Sequence, residues 1–335
     1  MSVVRTLAGA LVGLFVIAAA TDRAAAEADY PVRPITLIVP FAAGGPSDIV
    51  ARTIGVDMAR TLGQPVVIEN VAGTGGTIGA IRTKRSTPDG YTIIIGHLGT
   101  HAAAVAIYPN LAYDPSTDFE PIGMIAGMPV LILARKDFPA KDLTEFASYV
   151  KANGAKMAHA GIGSVSYSFC QFLNQIIGAR PEFASFNGTG PAMDALVAGK
   201  VDYMCDQVVA AVPKVEAGAI KAYAIGTAER SPALPNVPTS EEAGLAQFQG
   251  SAWNALFAPK GTPKSIVDQL NAALAKALDD ETTRKRLVDL GSVIPQGEAR
   301  SPPALADLVK REIAKWSEII KATGPAAKNP EASRR

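Results

Sequence analysis

Three short stretches carry the residue types that could do chemistry. Phe41-Ala42-Ala43-Gly44-Gly45-Pro46-Ser47-Asp48 follows an apolar run. Gly161-Ile162-Gly163-Ser164-Val165-Ser166 and Phe186-Asn187-Gly188-Thr189-Gly190 each stand between a strand-like run and a helical one. Glycines let backbone N–H groups approach a ligand, small hydroxyls add donors, and a helix that starts there carries partial positive charge at its end. The predicted chemistry is non-covalent capture of an anion. Two such cradles facing each other suit a molecule with two anionic ends, such as a dicarboxylate.

Covalent and cofactor chemistry fits less well. Gly73, Gly75, Gly76 and Gly79 open a helix after a strand, but a dinucleotide fingerprint needs its third glycine where Ile78 stands. Gly199-Lys200 is a helix end and no phosphate-binding loop. Gly161 to Ser166 lacks the order of a nucleophile elbow. His97 and His101 are four apart, but Gly99 lies between them and His159 is the only other histidine. No metal and no cofactor is expected.

The elements that must hold these stretches alternate. Strand 35–40 leads to helix 47–62, strand 66–69 to helix 77–86, and strand 91–95 to a helix that ends near Ile107. A second set follows: strand 130–134, helix 143–153, strand 157–160, helix 166–177, a strand near 183–186, helix 191–198, strand 201–205, helix 208–217 and strand 222–225. A strand at 251–259 and three helices near 263–278, 281–290 and 302–322 close the chain, with Pro263, Pro302 and Pro303 at helix starts. The pattern predicts two α/β sheets, each covered on both faces. The helical tail has no sheet of its own and is expected on the first domain. That makes domain 1 discontinuous, 27–128 plus 252–325, with domain 2 at 129–251 and a polar tail at 326–335. Two crossings make a hinge, and ligands prefer such clefts.

At 335 residues the chain has room for two domains, and its net charge of +1 gives no reason to expect nucleic acid as a partner. Arg82, Lys84 and Arg85 read as a solvated helix face. Arg5, the apolar run Leu7 to Ala20 and Ala24-Ala25-Ala26 read as an export signal cleaved after Ala26, with an uncleaved anchor as the alternative. The expected location is the periplasm. Cys170 and Cys205 are then either a disulfide, which an oxidising compartment favours, or two buried thiols.

Several motifs in fixed order resemble one family. They are Tyr30 to Ile35, Val39 to Arg52, Gly63 to Asn70, Gly73 to Gly79, Pro88 to Thr92, Tyr113 to Pro115, Arg230 to Thr239 and Ala258 to Pro263. The chain is identified as similar to the Bug family, extracytoplasmic solute receptors of tripartite tricarboxylate transporters. The resemblance implies a type II periplasmic-binding-protein fold, a monomer, a small carboxylate held in the interdomain cleft, and delivery to a membrane permease. It assigns ligand binding to Phe41, Ala42, Gly44, Gly45, Ser47 and Asp48 in the first loop. In the second domain it assigns Gly163, Ser164, Ser166, Asn187, Gly188 and Thr189, with Asp206 at an acidic position after the next strand. The loop His97-Leu98-Gly99-Thr100-His101, with Thr100, shapes the distal end together with Tyr167. Phe186-Asn187-Gly188 stands where the family often has a basic residue, which argues against citrate. A dicarboxylate, or an aromatic or amide-bearing carboxylate, fits better. The alternatives are a receptor that presents its ligand to a signalling domain and an enzyme acting on carboxylates.

Overall fold

A computed structural model describes residues 30–323. The expected export signal at 1–26 and the polar tail at 326–335 lie outside the described residues. Strand β1 (Ile35–Val39) feeds helix α1 (Pro46–Leu62), and β2 (Val66–Asn70) feeds α2 (Thr77–Lys84). β3 (Thr92–His97) leads through a π-helical turn at Gly99–Ala103 into α3 (Ala104–Ile107). Then come β4 (Phe119–Arg135), α4 (Leu143–Asn153), β5 (Lys156–His159), α5 (Val165–Ile177), β6 (Glu182–Ser185), α6 (Thr189–Val197), β7 (Tyr203–Gln207), α7 (Val208–Glu216) and β8 (Ile220–Ile225). β9 (Ser251–Pro259), α8 (Lys264–Asp279), α9 (Glu281–Asp289) and α10 (Pro302–Thr323) complete it.

The two expected sheets share a strand. The order is β2-β1-β3-β9-β4-β7-β5-β6, with β8 also on β4. β4 runs antiparallel to β9 over Phe119 to Pro129, then antiparallel to β7 over Val130 to Ala134. The sequence pattern shows only the last part of this strand, because Pro121, Gly123, Gly127 and Pro129 interrupt its first part. Register shifts at Pro121/Gly123 and Met124/Ala126 accommodate that composition, as bulges do for residues that fit a ladder poorly.

Alternation sets the core. Leu37, Val39, Ile93, Ile95, Leu131 and Leu133 point to one apolar layer, and Ile38, Ile94 and Ile132 to the other. The first layer holds α1, whose Val50, Ala51, Ile54 and Met58 are buried, against Leu270 and Leu274 of α8. The second layer holds Trp316 of α10 and Phe169 of α5, rings 5.0 Å apart. The last helix therefore reaches the second half as well as the first, where the sequence predicts only the first.

Cys170 of α5 and Cys205 of β7 form a disulfide with Cα atoms 5.2 Å apart. Among the described residues no helix is long and apolar enough to cross a membrane.

Candidate functional site

The three Gly-rich stretches meet. α1 starts one residue earlier than expected. Pro46, whose missing N–H costs nothing there, takes the first helical position, and extended Gly45 precedes it. Ser164 caps α5, its Oγ accepting the Tyr167 N–H at 3.2 Å. α6 begins at Thr189, after Gly188. The first amides of a helix have no acceptor within it, so three helix ends present N–H groups and partial positive charge to one cavity.

The first stretch gives that cavity Phe41, Gly45, Pro46 and Ser47; the second gives Ser164, Val165 and Ser166, with Ala160 just before it. Thr189, Asp206, Gln207 and His97 close it. The cavity is narrow and mostly walled off: its empty space, counted out to where it opens to solvent, is about 300 Å³. None of these twelve residues is Lys or Arg.

Seven of the sequence-predicted residues thus line the cavity: Phe41, Gly45, Ser47, Ser164, Ser166, Thr189 and Asp206. The others stand behind it. Asp48 faces its own loop: its carboxylate accepts from the Gly44 N–H at 3.0 Å, from Arg52 Nε at 3.0 Å and from Asn70 Nδ2 at 2.9 Å. Burial pushes its carboxyl up, but the hydrogen bonds from Arg52, Gly44 and Asn70 outweigh that and hold it below the usual carboxylate range. The Ala42 N–H donates to the Asn187 carbonyl at 3.1 Å, joining the first and third stretches. Gly188 packs on Ala42 and Gly163 on Tyr108. The Asn187 side chain is exposed and borders a neighbouring opening with Thr74, Gly75 and Tyr108. Thr100 is buried behind His97, its hydroxyl 2.9 Å from His101 Nδ1.

His97 Nδ1 accepts from Gly99 N–H at 2.7 Å and Thr100 N–H at 3.2 Å, so the ring proton sits on Nε2. Burial pushes its pKa down to about 3, so it is a neutral donor. Phe41 stacks on it, centroids 4.8 Å apart. Burial likewise takes His101 down to about 3; its ring lies on Phe257, centroids 4.1 Å apart, in the core. Asp206 is fully buried, and neither carboxylate oxygen has a hydrogen-bond partner among the described residues. Burial pushes its carboxyl up to about 7; the nearby Gln207 N–H and Thr189 hydroxyl offset part of this without reaching hydrogen-bond geometry. Asp206 lies within β7, where the sequence predicts it after the strand, because that strand is shifted two residues along the chain.

Sequence reasoning misses Asn254 and Gln207. Ser47 Oγ donates to Asn254 Oδ1 at 2.8 Å, and Asn254 Nδ2 donates to Gln207 Oε1 at 3.0 Å. This relay joins α1, β9 and the end of β7. The signal available was a lone amide at the centre of an otherwise apolar strand, Trp253-Asn254-Ala255-Leu256. A fully buried amide of that kind must find partners.

A mixed α/β sheet whose two halves meet around a cavity at helix N-termini is the build of a type II periplasmic binding protein. Residues 50–324 match the tripartite tricarboxylate transporter family receptor (TctC) profile, and the chain belongs to that family of solute-binding receptors. It is similar to MatC from Rhodopseudomonas palustris, solved with bound malate: 55% identity, TM-score 0.85, 87% of this chain and 99% of that one covered. It is also similar to the periplasmic binding protein BugD, with 42% identity, TM-score 0.86, and 88% and 99% covered. A UPF0065 protein from the TAR-I ttuE-ttuC' intergenic region of Agrobacterium vitis is 40% identical over 90% of this chain and 87% of its own length.

Proposed function

We propose that this chain captures a small carboxylate in the cavity and delivers it to the membrane subunits of a tripartite tricarboxylate-type transporter. One observation carries the reading: three helix N-termini from both halves meet in a cavity without a cationic side chain. Backbone N–H groups, the Thr189 hydroxyl and whichever of the paired Ser164 and Ser166 hydroxyls does not donate to the other are the donors for the carboxylates, while the Ser47 proton stays on Asn254; charge-assisted bonds of this kind strengthen once water leaves. Phe41, Gly45, Ser47, Ser164, Ser166, Thr189 and Asp206 contact the ligand. Ala42, Gly44, Asp48, Thr100, Gly163, Asn187 and Gly188 hold the contacting residues in place.

The ligand is a dicarboxylate of the size that MatC holds, or a carboxylate whose flat end lies against the Phe41–His97 stack. Residues 27–128 plus 252–325 and 129–251 act as two bodies that close on it. The receptor works as a monomer in the periplasm, after cleavage behind Ala26. The family and the neighbours are solute-binding receptors, which supports binding and release over turnover.

The test is a thermal-shift screen of residues 27–335 against mono-, di- and tricarboxylates and aromatic acids. A ligand at 100 times its Kd stabilises by about 2.7 kcal/mol, a shift of a few degrees. A shift confined to small carboxylates is the expected result. No shift, with no co-purified acid released on denaturation, overturns the reading.

A further inference from the structure

One wall of the cavity is an acid where the ligand is an anion. Asp206, paired in register with Leu131 of β4, is fully buried and its two oxygens are unpartnered among the described residues. No Lys or Arg lines the cavity to balance it. The titratable groups on the elements around it offer no positive charge either. His97 of β3 and His159 at the end of β5 are kept neutral by burial, down to about 3 and about 4. Burial also keeps the Tyr167 phenol of α5 neutral, and Asp48 of α1 is engaged with Arg52. Two like charges enclosed side by side, with no cation between them, do not both stay ionised.

We propose that Asp206 takes up one proton from solvent when a carboxylate is enclosed and, as the neutral acid, donates a hydrogen bond to it. The inference rests on the receptor reading above. In an open cleft the carboxyl is solvated and titrates near the ordinary value of about 3.9. In the closed cavity burial alone lifts it to about 7, and an enclosed anion lifts it further. The bound form therefore holds a proton that the free form lacks across the interval between those values. The sign follows: affinity is highest below the free value, falls about tenfold per pH unit as pH rises through the interval, and levels off above the bound value. The same donor discriminates among ligands, because an ammonium group facing Asp206 would favour the anion and bind without proton uptake.

The experiment is isothermal titration of residues 27–335 with malate and with succinate at pH 7, in buffers of different ionisation enthalpy, which reads protons taken up per ligand. The expected result is close to one proton, with Kd rising about tenfold per unit between pH 6 and 7. Asp206→Asn, whose amide N–H donates as the acid does, is expected to bind with uptake near zero and a flat pH profile. Uptake near zero in the wild type overturns the proposal, as does uptake that persists in Asp206→Asn. Loss of binding in a folded Asp206→Asn protein also overturns it and makes the anion the acceptor of a ligand donor. If the variant does not fold, the wild-type proton number and pH slope decide alone. Absence of binding heat from both proteins with these acids and with every acid of the thermal-shift screen overturns the receptor reading itself.

Discussion

Tyr108 and Ile162 meet at the opening beside the cavity: the Tyr108 hydroxyl donates to the Ile162 carbonyl, with the Thr74 carbonyl 3.0 Å from the same oxygen. Tyr108 follows α3 in the first half of the chain, and Ile162 precedes α5 in the second. The bond exists only when the halves are together, so it bears on closure more than on folding. Tyr108→Phe is expected to lose about 1 kcal/mol of closure and to weaken binding of the carboxylate found in the screen roughly fivefold. The urea midpoint should stay where it is. Gly75→Ala is the stronger form of the same test. Gly75 has φ 62°, and a Cβ there would overlap the Ile162 oxygen. Binding unaffected in both variants would remove this contact from the closing mechanism.

Asp48 supports the first loop from behind, so its removal should act on stability and affinity together. Asp48→Ala strips acceptors from the Gly44 N–H, Arg52 and Asn70 and is expected to cost about 1–3 kcal/mol. Faster hydrogen exchange at the Gly44 amide would show that the loop is what loosens. Ser164→Ala should cost about 1 kcal/mol through the lost cap and weaken binding more than its stability effect accounts for. An Asp48→Ala protein as stable as the wild type would contradict the supporting role.

All three histidines are buried, and burial lowers each pKa, His97 and His101 to about 3 and His159 to about 4. Below the ordinary value of about 6.5 the unfolded chain binds protons that the folded one refuses. In the unliganded protein with its cleft open, Asp206 titrates near its unfolded value and contributes little. Between about pH 4 and 6 the balance is close to three protons in favour of the unfolded state. Stability should fall by about 3–4 kcal/mol per pH unit on acidification. Urea unfolding at pH 7, 6 and 5 measures the slope, and a flat profile would mean that the histidine sites admit water.

The disulfide closes a sequence separation of 35 residues within the second half. In the chain-entropy account a loop of that length is worth about 4 kcal/mol. Both sulfurs are buried, so reduction should need partial unfolding. Cys170→Ala/Cys205→Ala is expected to lower the unfolding free energy by about 2–4 kcal/mol, and two free thiols in denatured, oxidised protein would contradict the pairing.

Much of the cavity was legible because it is built from local chemistry. A Gly-rich turn followed by a helix start is visible within ten residues, and all three such turns reach the same place. What stayed hidden depends on distant pairings. Asn254 lies over two hundred positions from Ser47, and only the β3–β9–β4 order brings it there. Asp48 reads as a contact in sequence because it stands in the right turn, yet Arg52 and Asn70 claim its carboxylate. The first part of β4 was masked by its prolines and glycines, so the strand that the two sheets share was missed while the class of fold was not.

That shared strand has a consequence for selectivity. β4 belongs to both halves without a break, and a continuous extended backbone neither stretches nor slides along itself. In the proposed closing motion the halves would rotate about it and not move apart along it. The gauge of the cavity would then be set by the chain, and adjustment to a bulkier guest by the side chains of one wall, the stacked Phe41 and His97.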